Sequence, residues 1–159
     1  MSERKENIGK ALGRVVSGIA ILTAQEGVEK EAILASWFQQ VSFEPPMLSV
    51  AVKKDRPIQK VIDETKKFAL NILCNDQKEV LAHFGKGFKP GINPFEGIEV
   101  EEHSLGLPLL KESHVYLVLE VKNKVSAGDH DLYLVEAVDG DLKEKGEPMV
   151  HVRRSGFHY

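Results

Sequence analysis

Apolar side chains recur along this chain at two spacings, one typical of helices and one typical of strands. The stretches with helical spacing are residues 2–15, 55–65 and 76–85. Asp55 is expected to cap the second helix, with Pro57 in its first turn, where the missing N–H donor does no harm. Asp76 and Glu79 resemble a capping box in front of the third. The pattern therefore predicts two or three short helices.

Strand spacing dominates the rest of the chain. The strand-like segments are residues 19–24, 33–46, 47–52, 68–74, 98–101, 115–125, 132–138 and 148–153. A polar turn at 25–30 and the tight Gly128-Asp129-His130 connection are expected to join hairpins. If six or seven of these segments form strands, with no strand-helix-strand repeat, they predict an antiparallel barrel, and the absence of a linker predicts one domain over residues 1–159.

The segment 33–46, I-L-A-S-W-F-Q-Q-V-S-F-E-P-P, is expected to be one central strand that two prolines end. Alternation places Ala35, Trp37, Gln39, Val41 and Phe43 on one face and Leu34, Ser36, Phe38, Gln40 and Ser42 on the other. A purely structural strand usually keeps its polar atoms on one side, because a buried polar group without a partner costs about 1–3 kcal/mol. The mixture on both faces therefore suits a flat ligand rich in heteroatoms.

Charge and composition exclude several classes of protein. A net charge of −3, with basic and acidic residues interspersed, argues against non-specific nucleic-acid binding. No apolar run approaches the roughly 18 residues that cross a bilayer, and the charged N-terminus lacks a signal-peptide core, so we expect a cytoplasmic protein with no membrane partner. Cys74, the only cysteine, rules out an internal disulfide and is expected to be a buried small hydrophobe rather than a reactive thiol.

The common catalytic motifs are absent. The chain has no phosphate-binding glycine loop followed by lysine and hydroxyl, and no dinucleotide fingerprint after a strand. Its six histidines show no close i,i+4 pair, and neither Ser36 nor Ser42 is framed by glycines as in a nucleophile elbow. Hydrolase and metalloenzyme chemistry are therefore disfavoured, and we predict no metal ligand and no catalytic acid–base residue.

Two clusters of side chains near the central segment suit a ligand. Ser36, Gln40 and Ser42 are able to donate to and accept from the edge of a heteroaromatic ring, although surface polar groups on an exposed strand explain them as well. Lys53 and Arg56 flank a predicted helix N-terminus, where amide donors favour an anion such as a phosphate. Ordinary solvated charges are the alternative.

Two further clusters lie later in the chain. His83, Phe84, Lys86, Phe88 and Lys89 combine rings and cations beside two glycines, which suits a loop over a phosphorylated aromatic ligand and equally suits a flexible surface loop. His130 and the tail 149–159 place rings and guanidinium groups at strand ends, where rings stack on planar groups and arginine binds phosphate, although a turn histidine is often structural.

The order of these motifs resembles a known family. Its signature is S-W-F-Q-Q-V-S-F-E-P-P (36–46), V-A-V-K-K-D-R (50–56), F-A-L-N-I-L (68–73), H-F-G-K-G-F-K-P-G (83–91), G-D-H (128–130) and H-V-R-R-S-G-F-H-Y (151–159). This set resembles the flavin reductase-like, FMN-binding split-barrel family, above all the domains fused to flavodiiron proteins or to rubredoxin. The resemblance implies a six-stranded antiparallel Greek-key barrel with short flanking helices, a homodimer, and FMN near the subunit interface.

The resemblance also implies roles for particular residues. The residues expected to contact FMN are Leu34, Ala35, Ser36, Trp37, Gln40, Val41, Ser42, Lys53, Arg56, Asn71, Phe84, Lys86 and Phe88. Within that set Lys53, Arg56 and Lys86 are expected on the phosphate side. The residues expected on the nicotinamide side are His130, His151 and Tyr159.

One departure from the family pattern concerns the acceptor. Many stand-alone flavin reductases carry threonine where this chain has Leu34, whereas the fused domains tend to lack it. Free flavin is therefore open to question as the acceptor. The chain contains neither rubredoxin cysteines nor diiron ligands, so a separate redox partner, either a rubredoxin or a flavodiiron protein, is implied.

The resulting hypothesis is an FMN-dependent NAD(P)H oxidoreductase that passes electrons to free flavin or to an iron protein. The flavin ring performs hydride transfer, so the lack of an acid–base pair is no obstacle. One alternative is an FMN-binding electron carrier without a nicotinamide site. Another is a split barrel that has lost FMN and binds haem or a different small ligand.

Overall fold

The computed structural model describes all 159 residues, and the chain forms nine strands and three helices. The strands are β1 (Ala20–Glu26), β2 (Glu29–Ala35), β3 (Phe38–Ser42), β4 (Met47–Lys53), β5 (Lys67–Ile72), β6 (Val100–Glu102), β7 (Pro108–Leu110), β8 (Val115–Ala127) and β9 (His130–Leu142). The helices are α1 (Glu3–Leu12), α2 (Pro57–Thr65) and α3 (Lys78–Gly85). Seven strands form one antiparallel sheet in the order β2-β1-β5-β8-β9-β4-β3, and β6 pairs with β7 separately. The mainly β, antiparallel fold class is confirmed.

The segment 33–46 is two strands, so its prediction as one strand was wrong. Its first part belongs to β2, at one edge of the main sheet, and β3 lies at the other edge. Only Ser36 and Trp37 separate the two strands, and two linking residues span at most about 10 Å. The opposite edges of the sheet must therefore approach one another at this corner, which curls the sheet into a barrel that stays unpaired between β2 and β3.

The barrel interior is filled by alternate residues of its strands. Leu48, Val50 and Val52 of β4 are all buried, as their alternation predicted. Helix α2 closes the interior because Ile58, Val61 and Ile62 pack into the same core cluster. The hairpins at the β1–β2 turn and at Gly128-Asp129 are likewise confirmed.

A second apolar cluster lies on the outer face of the sheet. Phe84 and Val80 of α3 pack there against Ile21 and Ala32. Cys74 is fully buried, as predicted, and burial raises the pKa of its thiol.

Both predicted helix caps were wrong. Asp55 has a positive φ of 65°, and the residue at the cap position is Arg56, whose side chain makes no capping hydrogen bond. Helix α3 begins after Gln77, because the Asp76 carboxylate is instead hydrogen-bonded to His114, at 2.8 Å. In each case a tertiary contact or backbone turn outweighs the local capping preference. Pro57 does occupy the first turn of α2.

The ends of the chain depart further from the sequence pattern. Residues 148–153 form no strand, and their only β-type pairings are two isolated bridges, Cys74 with Pro148 and Ser17 with His151. The segment crosses from Cys74 to Ser17 instead of running beside one strand, so its alternating residues form no continuous β-ladder. Strand β7 was not predicted, because three apolar residues show no periodicity. No helix is long and apolar enough to cross a membrane.

Candidate functional site

Trp37 stands at the corner between β2 and β3, where side chains from three parts of the chain meet. Its ring centroid lies 4.7 Å from that of His130, at the start of β9, and 5.7 Å from that of Tyr159. The guanidinium carbon of Arg153 lies 5.1 Å from the Trp37 ring centroid. We call these four residues the corner cluster. The sheet holds Trp37 in this cluster, because the backbone N–H of Ala51 in β4 donates to the Trp37 carbonyl at 2.9 Å and fixes the turn between β2 and β3.

Both nitrogens of the His130 ring have partners. Nδ1 lies 2.7 Å from Asp129 Oδ1, and Nε2 lies 2.9 Å from the Tyr159 hydroxyl. The carboxylate selects the tautomer with hydrogen on Nδ1, which leaves Nε2 of the neutral ring to accept from the phenol. The hydrogen bond from His130 lowers the pKa of Asp129. The ring is therefore held in one orientation beside Trp37.

Two cations, Lys53 and Arg56, adjoin this cluster, and a third, Arg153, belongs to it. Lys53 is exposed and lies opposite His130 in the β4–β9 ladder. Arg56, also exposed, precedes α2, and Arg153 is 9% exposed. Burial raises the pKa of the Tyr159 phenol, while the positive charges of Arg56 and Arg153 oppose that rise. The corner therefore joins aromatic surfaces to an excess of positive charge.

The predicted flavin contacts of the central segment point in different directions. Ala35 is buried in the barrel interior opposite Ala20, whereas Leu34 is on the outer face in register with Ile21. Gln40 and Val41 are exposed in the edge strand β3. Ser36 and Ser42 are half-buried, and their hydroxyl groups make no hydrogen bond to another protein group.

The loop after α3 has its own aromatic cluster. Phe84 is buried and meets Phe88 edge-on, with ring centroids 5.9 Å apart, and the His83 ring lies 4.8 Å from that of Phe84. Lys86 is exposed between the two phenylalanines. The loop adjoins the corner on its outer side, since Leu34 Cδ2 is 4.0 Å from where a Cβ on Gly85 would lie.

Asn71 and His151 show no contact with the corner cluster among the hydrogen bonds and ring contacts of the structure. The Asn71 amide is buried under β7, where its NH₂ group donates to the Ile21 carbonyl at 3.0 Å and its oxygen accepts from Leu110 N at 3.0 Å. The His151 backbone exchanges hydrogen bonds with Ser17. Their contacts with flavin and nicotinamide stay predictions.

Two members of the site were not selected from the sequence. Asp129, which orients His130, lies within the G-D-H signature, and Arg153 lies within the tail signature. Their motifs marked the regions, but two adjacent arginines in the tail have no pattern that separates the buried one from the exposed one.

Comparison with known proteins gives consistent matches. The family described as flavin reductase like domain matches residues 12–158. Diflavin flavoprotein A 1 of Synechocystis is 39% identical over 155 residues, which cover 96% of this chain and 27% of that protein. This chain therefore spans about a quarter of the length of that relative.

Solved structures share the fold. Flavin reductase PheA2 is 28% identical with a TM-score of 0.78, and the alignment covers 96% of this chain and 94% of PheA2. The NADH:FAD oxidoreductase SgcE6 of Streptomyces globisporus is 24% identical with a TM-score of 0.82, over 94% of this chain and 87% of that one.

Proposed function

This chain belongs to the flavin reductase like domain family, and from that premise we propose that it transfers a hydride from NADH or NADPH to bound FMN. The observation that carries the proposal is the corner cluster. It sets Trp37, expected beside the flavin ring, within 4.7 and 5.7 Å of His130 and Tyr159, which are expected on the nicotinamide side. Hydride transfer requires such a meeting of two planar ligands.

The residues at the corner fit a flavin nucleotide. The Trp37 ring offers a surface for a planar group, and the free hydroxyls of Ser36 and Ser42 offer hydrogen bonds to its edge. Lys53 and Arg56 supply positive charge for the flavin phosphate, and Lys86 supplies positive charge from the outer side of the corner. When bound, the flavin provides the hydride acceptor at its N5 atom.

The protein's own contribution to this reaction is placement. Asp129 and Tyr159 hold the His130 ring through both nitrogens, and Trp37 and Arg153 pack beside it. We assign none of these side chains a proton-transfer role, because hydride moves between the two ligands directly. Their effect is to fix the planes of the nicotinamide and the flavin ring and to exclude water from the space between these two rings.

The final electron acceptor is proposed to be a flavodiiron protein, in the same polypeptide or in a separate one. Support comes from the relatives named diflavin flavoprotein, whose sequences this chain matches at up to 39% identity. Rubredoxin and free flavin are alternative acceptors. We also propose FMN rather than FAD as the bound flavin, a homodimer as the working assembly, and the cytoplasm as its location.

An anaerobic absorbance titration of the FMN-loaded protein with NADH and then NADPH tests this function. Rapid bleaching of the flavin spectrum by either nucleotide is the expected result. A bound flavin that neither nucleotide reduces would indicate the electron carrier instead, and a protein that binds no flavin would exclude both functions. Loading with FAD in parallel identifies the preferred flavin.

Substitution of His130 sharpens the same experiment. His130→Asn should slow bleaching because the nicotinamide side loses its oriented ring, while flavin content is retained. The matched control is His158→Asn, since His158 is an exposed histidine next to Tyr159 in the tail. Equal bleaching rates in the two variants would contradict the assigned role of His130.

A further inference from the structure

Arg153 is a buried cation without a counter-ion. Only 9% of its surface is exposed, and no carboxylate oxygen lies within 4.0 Å of its guanidinium group. Of its five N–H donors, one makes a hydrogen bond, from Nη1 to the Gly156 carbonyl at 3.5 Å, which is at the limit of such bonds. Buried charges are normally paired, because desolvation of an unpaired ion is costly. The remaining donors of Arg153 are available to an anion.

The backbone around Arg153 is firmly anchored. Arg153 N donates to the Gly13 carbonyl at 3.2 Å, and Gly156 N donates to the Gly9 carbonyl at 2.7 Å. Gly156 lies so close to α1 that a Cβ there would be 2.1 Å from Leu12 Cβ, so only glycine fits. The guanidinium is therefore preorganised beside Trp37, which reduces the entropy cost of binding a ligand.

The charges that face Arg153 are mostly positive. Arg56 and Arg153 both act on the Tyr159 phenol, and Lys53 is opposite His130 in the ladder. Asp129 is the acidic group here, and it is already hydrogen-bonded to His130. The corner is thus attractive to an anion, since Arg153 is its buried cation and its one carboxylate is already hydrogen-bonded to His130.

We propose that Arg153 binds the diphosphate group of the nicotinamide dinucleotide. A guanidinium donates to two phosphate oxygens at once, which matches its several unused donors. The position favours the dinucleotide over FMN, because Arg153 shares the corner cluster with His130 and Tyr159, the residues expected on the nicotinamide side. Lys53, Arg56 and Lys86 remain for the FMN phosphate. This inference rests on the proposed function.

Inorganic pyrophosphate is the probe that tests the subsite without requiring catalysis. Trp37 is the only tryptophan, so its fluorescence in the FMN-loaded protein reports binding beside Arg153. Wild type should bind pyrophosphate saturably, and Arg153→Met should weaken binding about 10- to 100-fold, as expected for lost charge-assisted hydrogen bonds. Arg154→Met is the matched control, because Arg154 is adjacent and exposed, and its affinity should stay within about twofold of wild type.

The reductive half-reaction supplies a second readout. The dissociation constant for NADH in this half-reaction should rise by about the same 10- to 100-fold in Arg153→Met. Arg153→Lys keeps the charge but not the planar fork, so it should fall between wild type and Arg153→Met. If Arg153→Met does not fold, the affinities of Arg153→Lys for pyrophosphate and NADH test the inference instead.

Several results would overturn the inference. They are wild type that does not bind pyrophosphate, Arg153 variants that bind it normally, and an Arg153→Met protein that loses FMN affinity with unchanged pyrophosphate binding. If neither nucleotide reduces the flavin but pyrophosphate binding depends on Arg153, the proposed function fails while the anion subsite stands.

Discussion

Two regions of this protein bury polar side chains, and they treat them in opposite ways. Under β7, the Asn71 amide bonds Ile21, Thr23 and Leu110, and the Thr23 hydroxyl donates to the Pro108 carbonyl at 2.5 Å. In the corner cluster, Arg153 has one long hydrogen bond and no carboxylate partner.

The difference separates stability from binding. Because every polar atom of the Asn71 side chain has a protein partner, that region contributes mainly to the stability of the folded state. The Arg153 donors that have no protein partner are available to an anionic ligand. Substitutions should therefore reduce stability in the first region and ligand affinity in the second.

The largest expected effect is on stability. Asn71→Ala leaves Leu110 N–H and the Ile21 carbonyl without their side-chain partner and creates a cavity, so the free energy of unfolding should fall by about 3 kcal/mol. Urea denaturation measures it. Asn75→Ala, at an exposed position, should change stability by less than about 0.5 kcal/mol. A loss below about 1 kcal/mol in Asn71→Ala would remove the distinction between the two regions.

Trp37→Ala should have the opposite profile. Loss of an aromatic surface against a planar ring costs about 2 kcal/mol of binding, so the FMN dissociation constant should rise about 30-fold. The free energy of unfolding should change by less than about 1.5 kcal/mol, because Trp37 is only half-buried. Flavin fluorescence quenching measures the affinity. Phe43→Ala is the control, since this ring is 90% exposed, and an equal loss of affinity there would refute the role of Trp37.

A smaller effect on affinity is expected from the two free hydroxyls. Ser36→Ala combined with Ser42→Ala should weaken FMN binding about tenfold, the equivalent of one or two net hydrogen bonds. Equilibrium dialysis against FMN measures the dissociation constant of each variant. Ser104→Ala, in an exposed turn, serves as the control. If the double variant keeps wild-type cofactor content, the hydroxyls are surface groups.

The smallest effect concerns a third buried polar contact, which is fully partnered. Tyr133 is buried and donates to Asp63 Oδ1 at 2.9 Å, and burial, followed by that carboxylate, raises the pKa of its phenol. The unfolded chain loses the phenol proton near pH 10 while the folded chain retains it. Stability contributed by this group is therefore present below pH 10 and falls above it, by at most about 1.4 kcal/mol per pH unit.

Tyr133→Phe should flatten that alkaline decline. Urea midpoints of wild type and variant, measured from pH 8 to pH 11, give the two slopes. The variant should be less stable at pH 8, where the hydrogen bond is intact, and should approach wild type as the pH rises. Parallel curves would show that the phenol titrates alike in the folded and unfolded chains.

Much of this architecture was accessible from the sequence. The alternation of Leu48, Val50 and Val52 predicted the buried face of β4, and the Gly128-Asp129 turn predicted the β8–β9 hairpin. The helices were found within a few residues of their true ends, as for α1, where helical spacing runs to Val15 and the helix ends at Leu12, before Gly13. These features depend on neighbours in the chain, so local periodicity reports them.

Other features escaped prediction because distant residues create them. Asp76 pairs with His114 instead of capping α3, and residues 148–153 bridge two separate regions instead of forming a strand. At the site, the motifs identified Trp37 and His130 separately, but their ring contact at 4.7 Å depends on barrel closure.

The local sequence was sufficient for the strand pattern, the antiparallel class and the family signature, since periodicity and motif order survive without coordinates. The break at Ser36 and Trp37, the burial of Arg153 and the partners of Asn71 required the folded chain. Burial and pairing depend on which distant segments share a corner or a face. The same guanidinium is a solvated charge at Arg154 and an unpaired buried cation at Arg153, because the tail is anchored to α1 at only one of the two positions.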